Sequence, residues 1–314
     1  TREAVIVSTA RSANGRAFKG ALRDVRPDDL LASMVSAALD RAPGLDPAEI
    51  EDVIVGCGSP AGQQGNNIAR ATAVMLGLDG VPGTTVNRYC ASSVQSIRMA
   101  AHAVRAGEGD AFVAAGVESI SAYPHGEADE FPEARNPLFD AALQRTARRE
   151  RENDPWSDPR ANGDLPDVYI SMGQTAENVA SFASISRSEM DEYACESQRR
   201  ARVAAERGFW KDDITPFTRA DGEVVDADES PRPATTLEGL AGLDPVFRES
   251  GSVTAGNSCP LNDGAAAVVV MSAERAEQLG LTPLARIVST AVSALSPEIM
   301  GLGPVEATKR ALQR

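Results

Sequence analysis

Cysteine, histidine and aromatic residues are scarce in this sequence. It contains four cysteines, two histidines and 4% aromatic residues among 314 positions. The cysteines, at positions 57, 90, 195 and 259, form no CxxC pair. Such spacing fits neither a zinc site nor a disulfide framework. We therefore predict no metal site and four free thiols, most of them buried.

Positive charge and long apolar runs are also in short supply. The 31 Lys and Arg residues stand against 45 Asp and Glu residues, which gives a net charge of −14. This field repels nucleic acid and anionic membrane surfaces, so no nucleic-acid partner is expected and an anionic ligand needs a local basic contact. No apolar run reaches the roughly 18 residues of a membrane span. The N-terminal residues lack signal-peptide features, and a cytoplasmic location is expected.

The first 120 residues alternate between strand-like and helix-like patterns. Strands are predicted over residues 4–7, 52–56, 84–87 and 111–116, with helices from Pro27, over 67–76 and directly after Cys90. Such alternation predicts a mostly parallel sheet with helices packed against it. The fold class predicted from this pattern is α/β.

The pattern changes after about residue 121. Residues 125–166 are rich in Pro, Asn and charged side chains, and helices are predicted over 175–182 and 187–207. This stretch is interpreted as a long insertion between two strands of the sheet. The sheet is expected to resume over 264–271, followed by a helix over 273–279, a strand over 284–292 and a helix from Gly303.

Cys90 has the sequence setting of a reactive cysteine. It falls between a strand that ends at Asn87 and a helix that begins near Ala91. Unpaired N–H groups and the dipole at a helix N-terminus favour the thiolate, which is the reactive form. The small residues at 91–93 leave room for a substrate carbonyl, and the Cys90 N–H could serve as an oxyanion donor. Cys90 is therefore a candidate nucleophile, with a buried core cysteine as the alternative.

Cys57, Cys195 and the two histidines are weaker candidates for a catalytic role. Cys57 lies in a glycine-containing loop, but Ala61 stands where a dinucleotide-binding loop needs its third glycine, so a turn is predicted. Cys195 falls on an amphipathic helix and is expected in the core. His102 and His125 are expected to be solvated surface residues, and neither is well placed to act as a base for Cys90.

Four segments carry recognisable motifs. They are residues 87–95 (NRYCASSVQ) with 116–121 (GVESIS), residues 171–180 (SMGQTAENVA), residues 253–267 (VTAGNSCPLNDGAAA) and residues 299–304 (IMGLGP). In this order they resemble the thiolases, the acetyl-CoA acyltransferases. The resemblance implies that Cys90 attacks the 3-keto carbon of a 3-oxoacyl-CoA, that acetyl-CoA leaves and that a second CoA takes up the acyl group. Coenzyme A is then a substrate, with no permanently bound cofactor.

The resemblance also implies a layered fold (α/β/α/β/α) of two βαβαβαββ halves. Residues 1–120, completed by 251–271, correspond to the first half, residues 121–250 to an inserted CoA-binding loop domain, and residues 272–314 to the start of the second half. The family's oxyanion-hole Asn, base His and second catalytic Cys would all follow position 314. We therefore expect the natural polypeptide to continue beyond Arg314, and the 314-residue chain alone to lack these groups.

Matching positions assign CoA contacts to seven residues. Arg232 faces the adenine and phosphate end and would supply the basic contact that the acidic chain needs. Met172, Leu243, Phe247, Ala255 and Cys259 line the pantetheine channel. Ser171 stands where many biosynthetic members have His, which favours degradation of longer chains, as in fatty-acid β-oxidation, over an acetoacetyl-CoA-specific enzyme.

Three alternatives stay open beside a degradative thiolase. They are a biosynthetic acetoacetyl-CoA thiolase, a non-catalytic thiolase-like subunit, and a decarboxylating condensing enzyme of the same fold that uses an acyl-carrier protein. The long insertion and residues 172–178 argue against the last. The resemblance implies acyl-CoA and CoA as ligands and a homodimer or homotetramer, with a hydratase–dehydrogenase partner as a further possibility.

Overall fold

Two units make up the fold of this chain. The computed structural model describes residues 2–123 and 134–314. Unit one comprises Thr1–Asp129, Arg207–Ser230 and Leu261–Val288, and unit two comprises Glu130–Glu206, Pro231–Pro260 and Ser289–Arg314. All of the strands named below belong to unit one.

The strands of the described residues form one large sheet and one small hairpin. In chain order they are β1 (Ala4–Arg11), β2 (Gly15–Arg16), β3 (Val53–Gly56), β4 (Gly83–Val86), β5 (Ala111–Ser119), β6 (Phe217–Thr218), β7 (Val224–Val225), β8 (Asn262–Ser272) and β9 (Ala285–Arg286). The large sheet has the order β4-β3-β5-β8-β1-β9, with β2 also paired to β8, and β6 pairs with β7.

The α-helices follow the sequence pattern closely. In chain order they are α1 (Pro27–Asp40), α2 (Ile68–Met75), α3 (Ser92–Ala106), α4 (Asp140–Glu152), α5 (Met172–Ala183), α6 (Arg187–Glu206), α7 (Trp210–Asp213), α8 (Leu237–Ala241), α9 (Ala273–Gln278) and α10 (Gly303–Leu312). The seven helices predicted from the sequence are confirmed, whereas α4 and the short helices α7 and α8 were not predicted. Across the described ranges, no helix combines the length and apolar character needed to cross a membrane.

The prediction of a mostly parallel sheet is wrong. β3 pairs in parallel with β4 and β5, as expected for strands joined through helices. β8, however, runs antiparallel to both β5 and β1. β8 returns after the long insertion, not after a short helical crossover, so its direction is free of the rule that makes successive βαβ strands parallel.

The strand predicted over residues 284–292 is also wrong for most of its length. Only β9 pairs with β1, through Val5 and Ile6. The apolar side chains that suggested a longer strand, Leu284 and Val288, are 63% and 70% exposed. Backbone hydrogen bonds from Leu284 to Ile6 and from Ile287 to Ala4 extend the pairing by one residue at each end, and no strand in the described part of the chain pairs with residues 288–292.

The core of unit one lies on both faces of the large sheet. Val53 and Val55 of β3 point to the face covered by α1 and α2, and Ile54 between them points to the face covered by α3. The same alternation separates Val113 of β5 from Phe112. Strands buried on both faces explain why the sequence reads as continuous apolar runs. The result is three layers, with helices on each side of the sheet.

Candidate active site

Several strand ends of unit one converge on one edge of the sheet. Because β8 is antiparallel to β5 and β1, its first residues lie beside the carboxyl ends of those strands. A cavity of about 460 Å³ opens there. Its walls include Gly58 after β3, Cys90 after β4, Glu118 of β5 and Asp263 of β8. The carboxyl edge of a sheet is where α/β proteins commonly bind ligands.

Cys90 lies on the wall of this cavity. It occupies a single 3₁₀ turn, Tyr89–Ala91, that leads directly into α3. Its side chain is exposed. The cysteine therefore stands one turn before the regular helix, in reach of solvent and of any ligand in the cavity.

Two glycines let the start of α3 sit directly against the sheet. A Cβ added at Gly56 would lie less than 3.0 Å from the backbone of Ser92 and Ser93. At Gly116 it would collide with the Ser93 side chain. The absence of side chains on β3 and β5 thus fixes how deeply α3 approaches and where Cys90 is presented.

Glu118 organises the loop on the other side of the cavity. Its carboxylate accepts hydrogen bonds from the Gly58 N–H (2.7 Å), the Ser59 N–H (3.2 Å) and the Gln64 Nε2 amide (2.8 Å). Cys57 lies beside it and is 1% exposed. Burial, together with the negative charge of Glu118, raises the pKa of the Cys57 thiol to about 12. Cys57 is therefore held as a neutral thiol.

The expectation of mostly buried thiols is wrong, since Cys57 alone of the four is buried. Cys259 is exposed, like Cys90, and Cys195 is half-buried. Cys195 is not a core residue; it borders a second cavity of about 250 Å³ between α6 and residues 233–237.

The histidines do not contribute to the cavity walls that the structure describes. His102 lies on the exposed side of α3, as predicted. His125 lies outside the described residues. Within residues 2–123 and 134–314, no group of three or more His, Cys, Asp or Glu side chains could hold a metal ion.

The residues matched to CoA binding all lie in unit two. Ser171, Met172, Arg232, Leu243, Ala255 and Cys259 are exposed and Phe247 is half-buried. Some are brought into contact: the Arg232 guanidinium donates to the Ala255 carbonyl (3.0 Å), and Phe247 packs so closely on Gly173 that a side chain there would collide with its ring. Arg232 is thereby held at an exposed position with part of its donor capacity free.

Residues 171–180 hold in place the loop that contains Phe247 and continues to Val253. Gln174 donates to the Phe247 carbonyl (2.6 Å) and accepts from Arg248 (2.9 Å). The Glu177 carboxylate accepts from the N–H groups of Ser252 and Val253, both at 2.8 Å. These bonds join two motifs that are separated by some 70 positions. Gln174 and Glu177 of α5 therefore hold this loop in place, whereas Ser171 and Met172 at the start of the helix are exposed.

Glu298 joins the fourth motif to the same helix. Its carboxylate is fully buried and accepts hydrogen bonds from Arg149 (2.8 Å), Arg145 (3.1 Å) and Trp156 (2.8 Å). Its carbonyl accepts from Asn178 (2.8 Å). Burial opposes ionisation, but the Asp167 N–H, Arg149, Trp156 and Arg145 outweigh it and lower the pKa of Glu298. The charged stretch of α4, which reads as a surface pattern in the sequence, supplies both arginines.

Sequence reasoning missed Glu118, Glu298 and their partners. Glu118 and Gly58 are 60 positions apart, and Glu298 and Arg149 are 149 apart. No local spacing marks such pairs. For Glu118 the one available signal was an acidic residue at the end of an otherwise apolar run, since a charge in a buried strand needs partners.

Comparisons with known proteins agree with this architecture. Residues 4–274 match the family model of the thiolase N-terminal domain. The chain is 41% identical over 322 residues to a beta-ketoadipyl-CoA thiolase of Pseudomonas aeruginosa, covering 100% of this chain and 77% of the relative. It is 41% identical over 325 residues to a 3-ketoacyl-CoA thiolase of Bacillus subtilis, covering 99% and 76%. The crystal structure of the Bacillus anthracis acetyl-CoA acetyltransferase matches with a TM-score of 0.80 at 36% identity, over 99% of this chain and 76% of that one.

These matches confirm the resemblance carried by the four motifs. They also confirm the predicted α/β fold, as a mixed sheet flanked by helices. Thiolases are acyltransferases that use coenzyme A as a substrate and need no permanently bound cofactor. The chain belongs to the thiolase family.

Proposed function

We propose that the chain is a degradative thiolase, which cleaves a 3-oxoacyl-CoA with CoA through an acyl-Cys90 intermediate. One observation carries the proposal: Cys90 is exposed on the wall of a 460 Å³ cavity, at the turn that opens α3. An exposed thiol at the turn that opens a helix is the setting of an activated cysteine. Cys57, which is buried and kept neutral, has no such access.

The chemistry proceeds in two steps. The Cys90 thiolate attacks the 3-keto carbon, the C2–C3 bond breaks, and its electron pair leaves with acetyl-CoA, which takes up a proton. The acyl group remains on sulfur as a thioester. The thiolate of a second CoA then attacks that thioester, which releases the shortened acyl-CoA and restores Cys90.

CoA binding is assigned to seven residues of unit two, all of them exposed except the half-buried Phe247. Arg232 would face the phosphate-bearing adenine end, while Met172, Leu243, Phe247, Ala255 and Cys259 would line the path of the pantetheine arm. Ser171 would border the same path. The net charge of −14 makes a local cation necessary for a polyanionic ligand, and the exposed Arg232 meets that need. Residues 121–250 would thus act as the inserted CoA-binding part of the first thiolase half.

A biosynthetic thiolase is the second candidate function. The Bacillus anthracis relative is described as an acetyl-CoA acetyltransferase, whereas the other two relatives are described as a beta-ketoadipyl-CoA thiolase and a 3-ketoacyl-CoA thiolase. Ser171, in place of the His of many biosynthetic members, favours degradation of the longer substrates.

Thiolysis by the natural polypeptide tests both points. Cys90→Ser should abolish acyl transfer while the thermal unfolding curve stays that of the parent, because a hydroxyl at this position is a far weaker nucleophile than a thiolate. Full activity in Cys90→Ala would refute the acyl-Cys90 intermediate.

Comparison of kcat/KM for a straight-chain 3-oxoacyl-CoA, a 3-oxoadipyl-CoA and acetoacetyl-CoA assigns the substrate. A preference for acetoacetyl-CoA over both longer substrates would refute the degradative assignment.

A further inference from the structure

The backbone just before Cys90 adopts an uncommon conformation. Tyr89 has φ of +45°, in the left-handed region that glycine favours and a side chain makes strained. Its own side chain is 75% exposed, so packing of the ring does not hold it there. Such a conformation persists only when the surrounding structure over-determines it.

Two side chains clamp the turn from either side. The Asn87 Oδ1 accepts a hydrogen bond from the Tyr89 N–H (2.7 Å). The Ser92 hydroxyl donates to the Tyr89 carbonyl (2.6 Å) and accepts from the Arg88 N–H (2.8 Å). Both peptide groups of Tyr89 are therefore fixed, and Cys90 follows directly.

Asn87 is in turn anchored to the loop after β3. Its Nδ2 donates to the Gly58 carbonyl (3.1 Å). The N–H of the same Gly58 donates to Glu118 (2.7 Å). A Cβ added at Gly58 would lie 2.8 Å from Glu118 Oε2 and 3.6 Å from the Tyr89 carbonyl carbon, so Gly58 lies directly between the two. Glu118, Gly58, Asn87 and Tyr89 form one continuous chain of contacts.

We propose that Glu118 is a positioning residue for the nucleophile: through Gly58 and Asn87 it holds the left-handed turn at Tyr89 and so directs the Cys90 thiol into the cavity. The proposal rests on Cys90 as the nucleophile of the proposed function. Glu118 touches no reacting atom in this role. The alternative is that Glu118 acts on Cys90 only as a negative charge in the same cavity.

The two roles predict opposite results for Cys90 alkylation. A carboxylate that acts by charge disfavours the thiolate, so Glu118→Gln would speed alkylation and Glu118→Asp, which keeps the charge, would leave it unchanged. If Glu118 positions the turn, its role requires both the length of the glutamate side chain and the two oxygen atoms that accept hydrogen bonds. Aspartate is too short to keep the Gly58 bond, and glutamine replaces one acceptor by a donor that faces another donor. Both variants should then slow alkylation by iodoacetamide, by about five-fold each.

A double-mutant cycle tests the route through Asn87. Asn87 is exposed, so Asn87→Ala should fold, and alone it should slow Cys90 alkylation by about five-fold. Because the two residues act on one turn, the variant with both Glu118→Gln and Asn87→Ala should be slowed by no more than about ten-fold. Two independent effects would instead multiply to about 25-fold. The rate is measured on the Cys90 peptide by mass spectrometry, which separates it from the other thiols.

Thr85→Val is the matched control. Thr85 lies on β4, two residues before Asn87, and its hydroxyl bonds to Asn67 (2.9 Å) and to the Ala69 N–H (3.2 Å). The variant loses two hydrogen bonds of similar kind without touching Gly58 or Tyr89, so its Cys90 rate should stay within about two-fold of the parent. Faster alkylation in Glu118→Gln, an unchanged rate in Glu118→Asp, or multiplicative effects in the cycle would each overturn the proposal. Alkylation needs no acyl transfer, so these outcomes are distinct from a failure of the proposed thiolysis.

Discussion

Cys57 and Cys90 lie in the same unit but differ in the chemistry open to them. Cys57 is buried beside Glu118, with a pKa raised to about 12, and Cys90 is exposed. At about pH 8, iodoacetamide should therefore modify Cys90 and leave Cys57 intact, because the thiolate is the reacting form. Peptide mapping by mass spectrometry measures both. Equal modification of the two in the folded protein would contradict the account, while equal modification in concentrated guanidinium chloride is the expected control.

Arg232 is the residue on which the assignment of the CoA phosphate end depends. It is exposed, and one exposed charge contact contributes about 1 kcal/mol or less. Arg232→Ala should therefore raise KM for CoA by about five-fold with little change in kcat, since the contact is equal in ground and transition states.

The matched control for Arg232 is Arg23→Ala, which removes an equal charge from an exposed pair with Asp24. This variant should leave KM for CoA unchanged. Dephospho-CoA gives the sharper comparison, because it lacks the phosphate that Arg232 is expected to meet. If Arg232→Ala weakens CoA and dephospho-CoA equally, the assignment to the phosphate end is wrong.

Among the elements, α3 depends most on close packing at its first turn. Gly56→Ala would place a Cβ less than 3.0 Å from the backbone of Ser92 and Ser93, so the start of the helix must shift. Overpacking of this kind costs about 1 to 3 kcal/mol of the free energy of unfolding. Chemical denaturation measures that loss, and the Cys90 alkylation rate should fall with it.

Gly80→Ala is the control for this substitution. A Cβ there would meet nothing within 4 Å, and Gly80 has no left-handed φ. The variant should be neutral or more stable by up to about 1 kcal/mol, because alanine restricts the unfolded chain. Equal destabilisation by the two substitutions would show that the contact of α3 with β3 has no special role.

The elements also show what the sequence could reveal. The period of the apolar residues in α1 and the apolar run of β5 identify both correctly, because packing on the sheet selects those patterns. α4 lacks such a stripe: only Ala142 and Arg149 are buried, and its role depends on distant Glu298. The direction of β8 and the hydrogen bonds of Glu118 likewise depend on residues that are far apart in the sequence, so no local pattern predicts them. The position of Cys90 between β4 and α3 could be predicted because the strand, the cysteine and the helix are adjacent in the sequence.

At the scale of the whole molecule, the buried carboxylate of Glu298 should make stability depend on pH. Its pKa lies below the ordinary value of 4.5, so its contribution is fully present above that pH and is lost as the pH falls through the folded-state value. Glu298→Gln leaves Arg145 and Arg149 without their buried partner and should cost about 3 kcal/mol at neutral pH.

Urea denaturation of the parent and Glu298→Gln across the acid range measures this difference. The gap between the two should narrow as the pH falls from 4.5 through the lower folded-state pKa, because this carboxylate is protonated first in the unfolded chain and then in the folded parent. Glu306→Gln breaks the exposed pair with Arg310 and should cost less than about 1 kcal/mol at any pH. A gap for Glu298→Gln that stays constant to low pH would contradict the assigned ionisation.

Detection of the acyl-enzyme tests most directly the central claim that Cys90 carries the acyl group. The natural polypeptide is mixed with acetyl-CoA in the absence of free CoA, quenched in acid and mapped by mass spectrometry. We expect one acetyl group, on the peptide that contains Cys90, and this group should disappear when free CoA is added before the quench. Acetylation of Cys57, Cys195 or Cys259 in place of Cys90, or thiolysis activity with no acetyl group on Cys90, would contradict it.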